Sequence, residues 1–439
     1  MSPRRFIVAQ LGARMHYAIP RILAEVDMLQ HFYTDICAVQ GWPRWLRLVP
    51  DPVRPPALRR LLSRVPHGVP PELITAFTDF GREYARHRNT ATTGRFAVHL
   101  WAGTEFCRRI LSKGFGGAGA VFTFNSAGLE ILQHARREGL RAVMEQTIAP
   151  MRVELELSEE ERSRFADWET VSERSDCAAE YCQREEAEWQ AAEVILCGSA
   201  FVRDGIARCC GPVEKCVVVP YGVDLPSPRR GKGGRRLDEV AALNYQPSTL
   251  RSSATEDGST LNRPLRVLSV GAVGLRKGSP YVMEAAKQLK DKAVFRMVGN
   301  IGVTSQAEAR LREHLELTGP APRSDIAKHF AWADVFLLPS LCEGSATVTY
   351  EALGYGLPVV CTPNAGSVVR DGLEGFIVPV RDATAIAGRI EQLAQDLELR
   401  AKMAARAKAR AAEFTVGAYG QRLLAAFNGA MPLQASISA

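Results

Sequence analysis

A chain of 439 residues is long enough for two or three domains. Its composition, 46% apolar and 23% charged residues, is that of a globular protein and excludes a disordered scaffold, a collagen and a multi-span membrane protein. The net charge of +7 is modest for this length and indicates no nucleic-acid partner, but residues 1–115 alone contain 17 Lys or Arg against 8 Asp or Glu.

The chain begins with a basic segment and a short apolar run, Phe6 to Leu11. This run is short for a signal peptide and lacks a small-residue cleavage site, so it predicts a first β-strand. No stretch approaches the ~20 apolar residues that span a bilayer. The ten cysteines form no C-x-x-C pair and have no histidine at zinc-finger spacing, which favours free thiols in a reducing compartment. We therefore predict a cytoplasmic protein, held at most on the inner face of the membrane.

Short apolar runs recur along the chain, each followed by a turn signal and a helical pattern, which is the signature of parallel βα units. In the first half the runs are Phe6 to Leu11, Phe32 to Ala38, Ala120 to Asn125, Ala142 to Gln146, Val194 to Gly198 and Val217 to Tyr221. In the second half they are Leu265 to Val270, Val294 to Val298, Val335 to Leu338, Val359 to Thr362 and Phe376 to Val380. Two doubly wound α/β sheets are predicted.

Tryptophan and arginine cluster between Gly41 and Pro66. The pattern predicts a short helix over Ala57 to Val65, with leucines on one face and arginines around it. Such a helix beside two tryptophans is typical of a membrane-interface segment, although an amphipathic helix packed on its own domain has the same pattern. In the membrane interpretation, the residues that dock on an anionic leaflet are Trp42, Trp45, Arg59, Arg60 and Arg64.

The segment Leu225 to Pro264 is rich in Pro, Gly, Ser and charge and poor in aliphatic residues. Because it cannot bury enough apolar surface to offset its ordering entropy, we predict a flexible linker over residues 225–264. The linker separates a first domain, residues 1–224, from a second domain, residues 265–415.

A glycine-rich loop, Gly271 to Ser279, follows the first predicted strand of the second domain. Its spacing matches neither of the usual nucleotide-binding glycine patterns. Arg276 and Lys277 nevertheless lie between a buried strand and a helix, at the sheet edge where open α/β folds bind ligands. Backbone N–H groups at a helix start, with cations beside them, favour a diphosphate, although a solvated Arg-Lys pair fits the pattern equally well.

The strand Val335 to Leu338 leads into a second group of polar residues. Glu343 stands before a predicted helix and Glu351 lies one to two turns inside it, so both carboxylates can face the cleft at the strand ends. Between them, small residues let a ligand approach the backbone. Ionised carboxylates accept hydrogen bonds from vicinal diols, which favours a sugar and a ribose as ligands over a capping and a surface glutamate.

These residues resemble the retaining glycosyltransferases of family 4. The E-x7-E spacing of Glu343 and Glu351, the flanking VFLLPSLCEGSATVTYEALGYGLPVV, and VLSVGAVGLRKG, GSAFVRDGI, VVVPYGVD and EFTVGAYGQRLLAAF all match that family. The resemblance implies a GT-B fold, in which two Rossmann-like domains face across a cleft and a C-terminal helix, within residues 416–439, crosses back to the first domain. It implies a nucleotide-sugar donor on the second domain and a glycan or lipid-linked acceptor on the first.

The resemblance also implies residue roles. Glu343 would hold donor-sugar hydroxyls, Glu351 the ribose diol and Lys277 the diphosphate. Ala272 replaces a common family arginine, so Arg276 would supply the second positive charge. The catalytic set is therefore Glu343, Lys277 and Arg276, and the donor-binding set is Gly274, Gly344, Ser345, Ala346, Thr347 and Glu351.

On the acceptor side the chain departs from the family. The loop from Gly12 to Tyr17 lacks the common double glycine, and the strand AVMEQTIAP lacks the common histidine. The acceptor-side candidates are Gly12, His16, Glu145 and Gln146, and for His16 a core or surface role is the competing interpretation.

The chain contains no D-x-D motif, the usual metal-holding signature of other transferases. We therefore predict chemistry that needs no metal and no cofactor, in which cations and a helix start neutralise the departing diphosphate. The resemblance implies retention at the anomeric carbon, with a leaving phosphate oxygen helping to deprotonate the acceptor hydroxyl. A nucleotide-sugar epimerase and a non-catalytic nucleotide-sugar-binding protein are the alternatives, whereas a glycosidase pair is disfavoured beside a phosphate-binding loop.

Overall fold

The computed structural model describes residues 4–50, 53–89, 94–170, 177–225 and 263–427. They divide into two compact units. The first unit comprises the described residues of Met1–Arg152, Ser172–Cys197 and Arg203–Val218, and the second comprises those of Val153–Val171, Gly198–Val202 and Val219–Ala439. The predicted linker over 225–264 lies outside the described residues except at its two ends.

The first unit is built on a seven-stranded parallel sheet with the order β3-β2-β1-β4-β5-β6-β7. Its strands are β1 (Phe6–Gln10), β2 (Leu29–Thr34), β3 (Ile74–Ala76), β4 (Ala120–Phe124), β5 (Arg141–Gln146), β6 (Val194–Cys197) and β7 (Cys216–Val218). Strand order reverses between β1 and β4, which makes the carboxyl ends of these two strands a topological switch point.

Helices alternate with these strands along the chain. They are α1 (Ala18–Glu25), α2 (Pro56–Leu62), α3 (Thr78–Asn89), α4 (Arg95–Leu111), α5 (Leu129–Arg137), α6 (Met151–Arg164), α7 (Ala178–Ala191) and α8 (Ala200–Arg208). Strands β1 and β4 are buried along their whole length, as expected for central parallel strands covered on both faces.

The second unit contains a six-stranded parallel sheet with the order β10-β9-β8-β11-β12-β13. Its strands are β8 (Leu265–Val270), β9 (Ala293–Val298), β10 (Glu316–Leu317), β11 (Val335–Leu338), β12 (Val359–Cys361) and β13 (Gly375–Ile377). Val267 pairs with Val335 and Leu268 with Phe336, so β8 and β11 are neighbours and their carboxyl ends form the switch point of this sheet.

The helices of the second sheet are α9 (Ser279–Gln288), α10 (Ser305–Arg312), α11 (Arg323–Trp332), α12 (Thr347–Gly354), α13 (Ala383–Gln395), α14 (Leu397–Ala412) and α15 (Val416–Phe427). The last of them, predicted to cross back, contacts residues 220–223. Arg422 Nη2 donates to the carbonyl oxygens of Pro220 (3.2 Å) and Tyr221 (3.3 Å), and Val223 forms a β-bridge with Thr415.

Residues 153–171 belong to the second unit although they precede it in sequence by about a hundred residues. Glu161 of α6 is fully buried there, where its carboxylate accepts hydrogen bonds from the Tyr281 hydroxyl (2.5 Å) and from Arg381 Nε (2.7 Å). Trp168 lies in the same hydrophobic core. A buried ion pair and a core tryptophan thus join residues 153–171 to the second sheet.

The prediction of two doubly wound α/β sheets is confirmed. Strands β3 and β10, of three and two residues, were not predicted. The helix predicted over Ala57 to Val65 ends at Leu62. Beyond it Arg64 turns inward: its carbonyl oxygen accepts from the Ala38 N–H (2.8 Å) and its guanidinium pairs with Asp35 (3.2 Å). Arg64 therefore does not join an exposed basic face.

Candidate functional site

Two chain segments meet at the switch point of the second sheet, one after β8 and one after β11. After β8 the chain makes a 3-10 turn, Leu275–Lys277, which ends in the left-handed Gly278 (φ 72°). A Cβ at Gly278 would lie 2.2 Å from the carbonyl oxygen of Pro339, so glycine is required for this close approach. The Leu341 N–H also donates to the carbonyl oxygen of Arg276 (2.9 Å). These contacts fix the turn against the segment after β11.

The fold brings the three predicted catalytic residues into one charged cluster. Lys277 Nζ forms an ion pair with Glu343 Oε1, and Arg276 Nη1 lies 3.3 Å from the same oxygen. Arg276 also donates to the carbonyl oxygen of Cys342 (2.8 Å). The Lys277 and Glu343 side chains are 13% and 11% exposed, so water screens their attraction weakly. An arriving anionic group would share both cations with Glu343.

Two further carboxylates reach this cluster from residues 153–171, and neither was predicted. Burial lowers the pKa of Arg276, but the carboxylates of Glu343 and Glu154 outweigh it and raise the pKa above its usual value. Glu169 Oε1 accepts from the Leu275 N–H (2.7 Å) at the start of the 3-10 turn. Glu169 lies 106 residues from its partner in sequence, so no local pattern could have revealed the contact.

The predicted donor-binding segment after Glu343 is held by the protein itself. The Ser199 hydroxyl donates to the carbonyl oxygen of Gly344 (2.5 Å), and the Ala346 N–H donates to a carbonyl oxygen of the segment after β12 (3.1 Å). The Ser345 hydroxyl donates to the carbonyl oxygen of Gly366 (3.1 Å) and lies 2.7 Å from the Tyr350 hydroxyl. These bonds orient the start of α12. The Ser345 hydroxyl is therefore already hydrogen-bonded within the protein.

A cavity of about 580 Å³ opens at these strand ends within the second unit. Six predicted residues line it: Lys277, Glu343, Ser345, Ala346, Thr347 and Glu351. Three predicted residues, Gly274, Arg276 and Gly344, are not among the lining residues. Arg276 nevertheless lies 3.3 Å from Glu343, which lines the cavity. The E-x7-E spacing therefore places both carboxylates in one cavity, Glu343 before α12 and Glu351 inside it.

The cavity also has an apolar wall that the sequence patterns did not single out. Ile326, Ala327 and Phe330 of α11 contribute to it, and the ring of Phe330 stacks on that of Tyr355 (centroids 4.9 Å apart, planes 11° apart). Asp224, at the end of the motif VVVPYGVD, lines the cavity as well. An apolar wall, two carboxylates and a lysine together suit a ligand with a flat ring, hydroxyl groups and a negative charge.

The acceptor-side candidates Gly12 and His16 lie in the loop after β1, at the switch point of the first sheet. Gly12 is left-handed (φ 76°) and its N–H donates to Asp35 Oδ1 (2.9 Å). Three consecutive residues, Met15 to Tyr17, also have left-handed φ values of 45°, 50° and 61°. Such non-glycine conformations are costly and concentrate at functional loops. His16, in this loop, is exposed.

Glu145 and Gln146, at the end of β5, are buried. The Gln146 amide donates to Glu185 Oε1 (2.7 Å) and accepts from Trp189 Nε1 (2.9 Å). Both ends of the amide are thus bound to α7. These contacts favour a role for Gln146 in positioning the loop after β5, because its polar atoms are already satisfied inside the protein.

Glu188 of α7 holds the loop after β4 in the same way. Its carboxylate accepts hydrogen bonds from the N–H groups of Ser126 (2.7 Å) and Gly128 (2.9 Å). Full burial raises the pKa of Glu188 to about 8, although both hydrogen bonds and the nearby Arg184 act to lower it. The loops that follow β4 and β5 are therefore both anchored on acidic residues of one helix.

Within the described residues, no group of three or more His, Cys, Asp or Glu could hold a metal ion. Of the helices the structure describes, none is long and apolar enough to cross a membrane.

Residues 255–410, about a third of the chain, match the family model "Glycosyl transferases group 1". The match contains the turn Leu275–Lys277, both carboxylates and the cavity's apolar wall. This part of the second unit is therefore similar to the group 1 glycosyl transferases.

Curated relatives also match part of this chain. An amylovoran biosynthesis glycosyltransferase, AmsK of Erwinia amylovora, is 31% identical over a 151-residue alignment that covers 31% of this chain and 37% of AmsK. A putative colanic acid biosynthesis glycosyltransferase, WcaL of Escherichia coli, is 29% identical over a 201-residue alignment that covers 42% of this chain and 43% of WcaL. The chain thus spans about two fifths of the length of these relatives.

Solved structures extend the likeness to nearly the whole fold. HepE of Anabaena, in complex with UDP-glucose, superposes with a TM-score of 0.59 at 15% identity, covering 97% of this chain and all of HepE. At this identity the likeness concerns the fold, and it confirms the predicted GT-B class.

Proposed function

We propose that this protein is a glycosyltransferase that moves a sugar from a nucleotide-diphosphate donor to an acceptor hydroxyl. The observation that carries the proposal is the ion pair of Lys277 with Glu343 at the switch point, in a cavity that also contains Glu351. Open α/β sheets bind ligands at this position, and the surrounding residues match the group 1 glycosyl transferase model.

The contacts suggest a role for each residue. Lys277 lines the cavity and would bind the diphosphate, while Arg276, held by the carbonyl oxygen of Cys342, would add a second cation behind it. Glu343 would accept hydrogen bonds from the donor-sugar hydroxyls, and Glu351, further along α12, from the ribose diol. The stacked rings of Phe330 and Tyr355 would form the apolar wall beside the base.

Cleavage of the donor requires stabilisation of negative charge on the leaving diphosphate. In the resting site Lys277 is paired with Glu343, so this cation is held in place before the donor arrives and needs little reorganisation during the reaction. We propose that the transfer proceeds with retention and without a metal. A leaving phosphate oxygen would take the acceptor proton on the same face of the sugar, and neither glutamate would act as a nucleophile.

For the acceptor we propose a glycan or a lipid-linked glycan in cytoplasmic assembly of a cell-surface polysaccharide. Support comes from the relatives in amylovoran and colanic acid biosynthesis. The acceptor would bind at the switch point of the first sheet, where the left-handed loop with His16 lies.

The test is to incubate the purified protein with a panel of nucleotide-sugars, with and without EDTA, and to measure released nucleoside diphosphate. We expect release from at least one donor, unchanged by EDTA. Lys277→Ala should lower kcat by about 10²- to 10³-fold, the usual loss when one charge-stabilising group is removed. Lys402→Ala, an exposed lysine of α14 that is paired with Glu398, is the matched control and should keep full activity.

Tight nucleotide binding without release of nucleoside diphosphate from any donor would contradict the catalytic proposal. Conversion of the donor sugar without transfer would point instead to an epimerase. Inversion of the anomeric configuration in the glycoside product, measured by NMR, would contradict the proposed retention but not the proposed sugar transfer.

A further inference from the structure

The crossover between β2 and β3 presents an apolar stripe to solvent. Residues Trp42–Leu48 form a 3-10 helix, in which side chains three positions apart lie on the same face. Trp42, Trp45 and Leu48 follow this spacing and are 36%, 60% and 79% exposed. Large apolar side chains are seldom left in water in a continuous row, which indicates a partner for this face.

Arginines flank the stripe. Arg44 and Arg47 also lie three positions apart, both are exposed, and the Arg44 guanidinium lies over the Trp45 ring (4.6 Å). Residues 36–71 contain six arginines and a single acidic residue. The Trp–Arg surface, defined as Trp42, Arg44, Trp45, Arg47 and Leu48, is therefore apolar along its centre and strongly basic around it.

The surface is fixed in its exposed position by contacts beneath it. Pro43 is buried, and Arg54 donates to the carbonyl oxygens of Arg47 (3.0 Å) and Val49 (2.8 Å). At its start, Gly41 adopts a left-handed φ of 64° against Thr78, where a Cβ would lie 2.6 Å from the threonine methyl group. The tryptophans therefore face solvent on a supported turn, which lowers the entropy lost on binding.

The same crossover contacts the loop after β1 in the first unit. One carboxylate oxygen of Asp35 accepts from the Gly12 N–H (2.9 Å), and the other from Arg64 (3.2 Å). The Trp–Arg surface and the loop with His16 thus both follow strands at the carboxyl edge of the first sheet.

We propose that the Trp–Arg surface docks the protein on an anionic lipid bilayer. Tryptophan and leucine enter the headgroup region, while the arginine side chains extend to lipid phosphates. The exposed Leu48 distinguishes this partner from a nucleic acid, whose grooves and phosphates do not bury a row of aliphatic and indole groups. The proposal goes beyond the sugar transfer and holds whether or not that activity exists.

The experiment is cosedimentation of the full chain with phosphatidylcholine vesicles, with and without phosphatidylglycerol. We expect binding that requires the anionic lipid and weakens with salt, since exposed charges are screened. Arg44→Gln with Arg47→Gln should lower the partition coefficient by about thirtyfold, roughly fivefold for each arginine near an anionic surface. Arg136→Gln with Arg137→Gln, two exposed arginines of α5, is the matched control and should bind as the wild type.

A second pair of variants tests the apolar stripe. Trp45→Ser with Leu48→Ser should abolish sedimentation at high salt, where the apolar contribution remains, whereas Leu397→Ser, a 49% exposed leucine of α14, should not. Thermal unfolding of every variant verifies that it is folded. Equal losses in variants and controls, equal binding to neutral vesicles, or binding to RNA but not to vesicles would each overturn the proposal. Diphosphate release in solution should be unchanged in the surface variants. A failure of the docking proposal can therefore be distinguished from a failure of the catalytic proposal.

Discussion

Gly278 ends the turn Leu275–Lys277 and lies against Pro339, directly after β11, so Gly278→Ala is the most direct test of that packing. The residue is left-handed, with φ 72°, and an added Cβ would lie 2.2 Å from the carbonyl oxygen of Pro339, where real contacts stay beyond 3.0 Å. The backbone conformation costs an alanine about 1 to 2 kcal/mol. The overlap cannot be relieved by a side-chain rotation, because both partners are backbone or Cβ atoms.

The turn or the segment after β11 must therefore shift, at a cost typical of an overpacked core. We expect Gly278→Ala to lower the free energy of unfolding by about 2 to 5 kcal/mol in total. A shift of the turn also separates Lys277 from Glu343, so diphosphate release should fall along with stability.

Urea unfolding followed by circular dichroism measures the first effect, and the donor assay measures the second. Gly388→Ala is the matched control, since Gly388 lies inside helix α13 with nothing within 4 Å of an added Cβ. It should raise stability by about 1 kcal/mol, the helix-propensity gain of alanine over glycine, and leave activity intact. If Gly278→Ala unfolds within about 0.5 kcal/mol of the wild type, the tight packing is refuted.

Three further predictions concern buried or paired carboxylates. Glu161→Ala should lower the free energy of unfolding in urea by about 3 kcal/mol, because it leaves the buried Tyr281 hydroxyl and part of Arg381 without an acceptor. The control Glu160→Ala, at an exposed neighbour, should lower it by less than about 1 kcal/mol, and similar losses in both variants would contradict the contacts at Glu161. Burial raises the pKa of Glu188 to about 8, so the stability that its protonated form contributes is complete below the unfolded value near 4.5 and is lost as pH rises through 8. Glu188→Gln should flatten the stability profile between about pH 5 and 8, the interval between the unfolded and folded pKa values, and an unchanged slope there would be inconsistent with burial as the cause. Hydrogen bonds from Arg108 and then Arg109 lower the pKa of Glu105 from 4.5 to about 2, so its contribution is present above 4.5 and is lost as pH falls toward 2. Glu105→Gln should remove that part of the acid transition, and an identical acid limb in both proteins would rule the pairing out.

Much of the second unit was predictable because its signals are local. Continuous Val, Ile and Leu runs indicate strands buried on both faces, and β8 and β11 begin and end where these runs predicted. The loop residues that follow them were predictable too, since side chains directly after parallel strands lie at one sheet edge. Lys277, Glu343 and Glu351 accordingly line a single cavity.

Other features depend on residues far apart in the chain. Arg64 fits an exposed basic face by pattern, yet it pairs with Asp35, and Gln146 fits an acceptor contact, yet its amide is bound to α7. The apolar stripe of Trp42, Trp45 and Leu48 becomes one face only because the segment adopts a 3-10 helix with a period of about three residues.

Composition, strand patterning and the spacing of Glu343 and Glu351 were sufficient to establish the fold class and to identify the charged residues of the site, because these signals reside in neighbouring residues. Only tertiary packing decided which atoms those residues contact. It also brought Glu154, Glu161 and Glu169, from the first half of the chain, into the second unit. The physical reason is that a buried carboxylate is stable only beside donors that folding brings to it, and those donors lie about a hundred residues or more away.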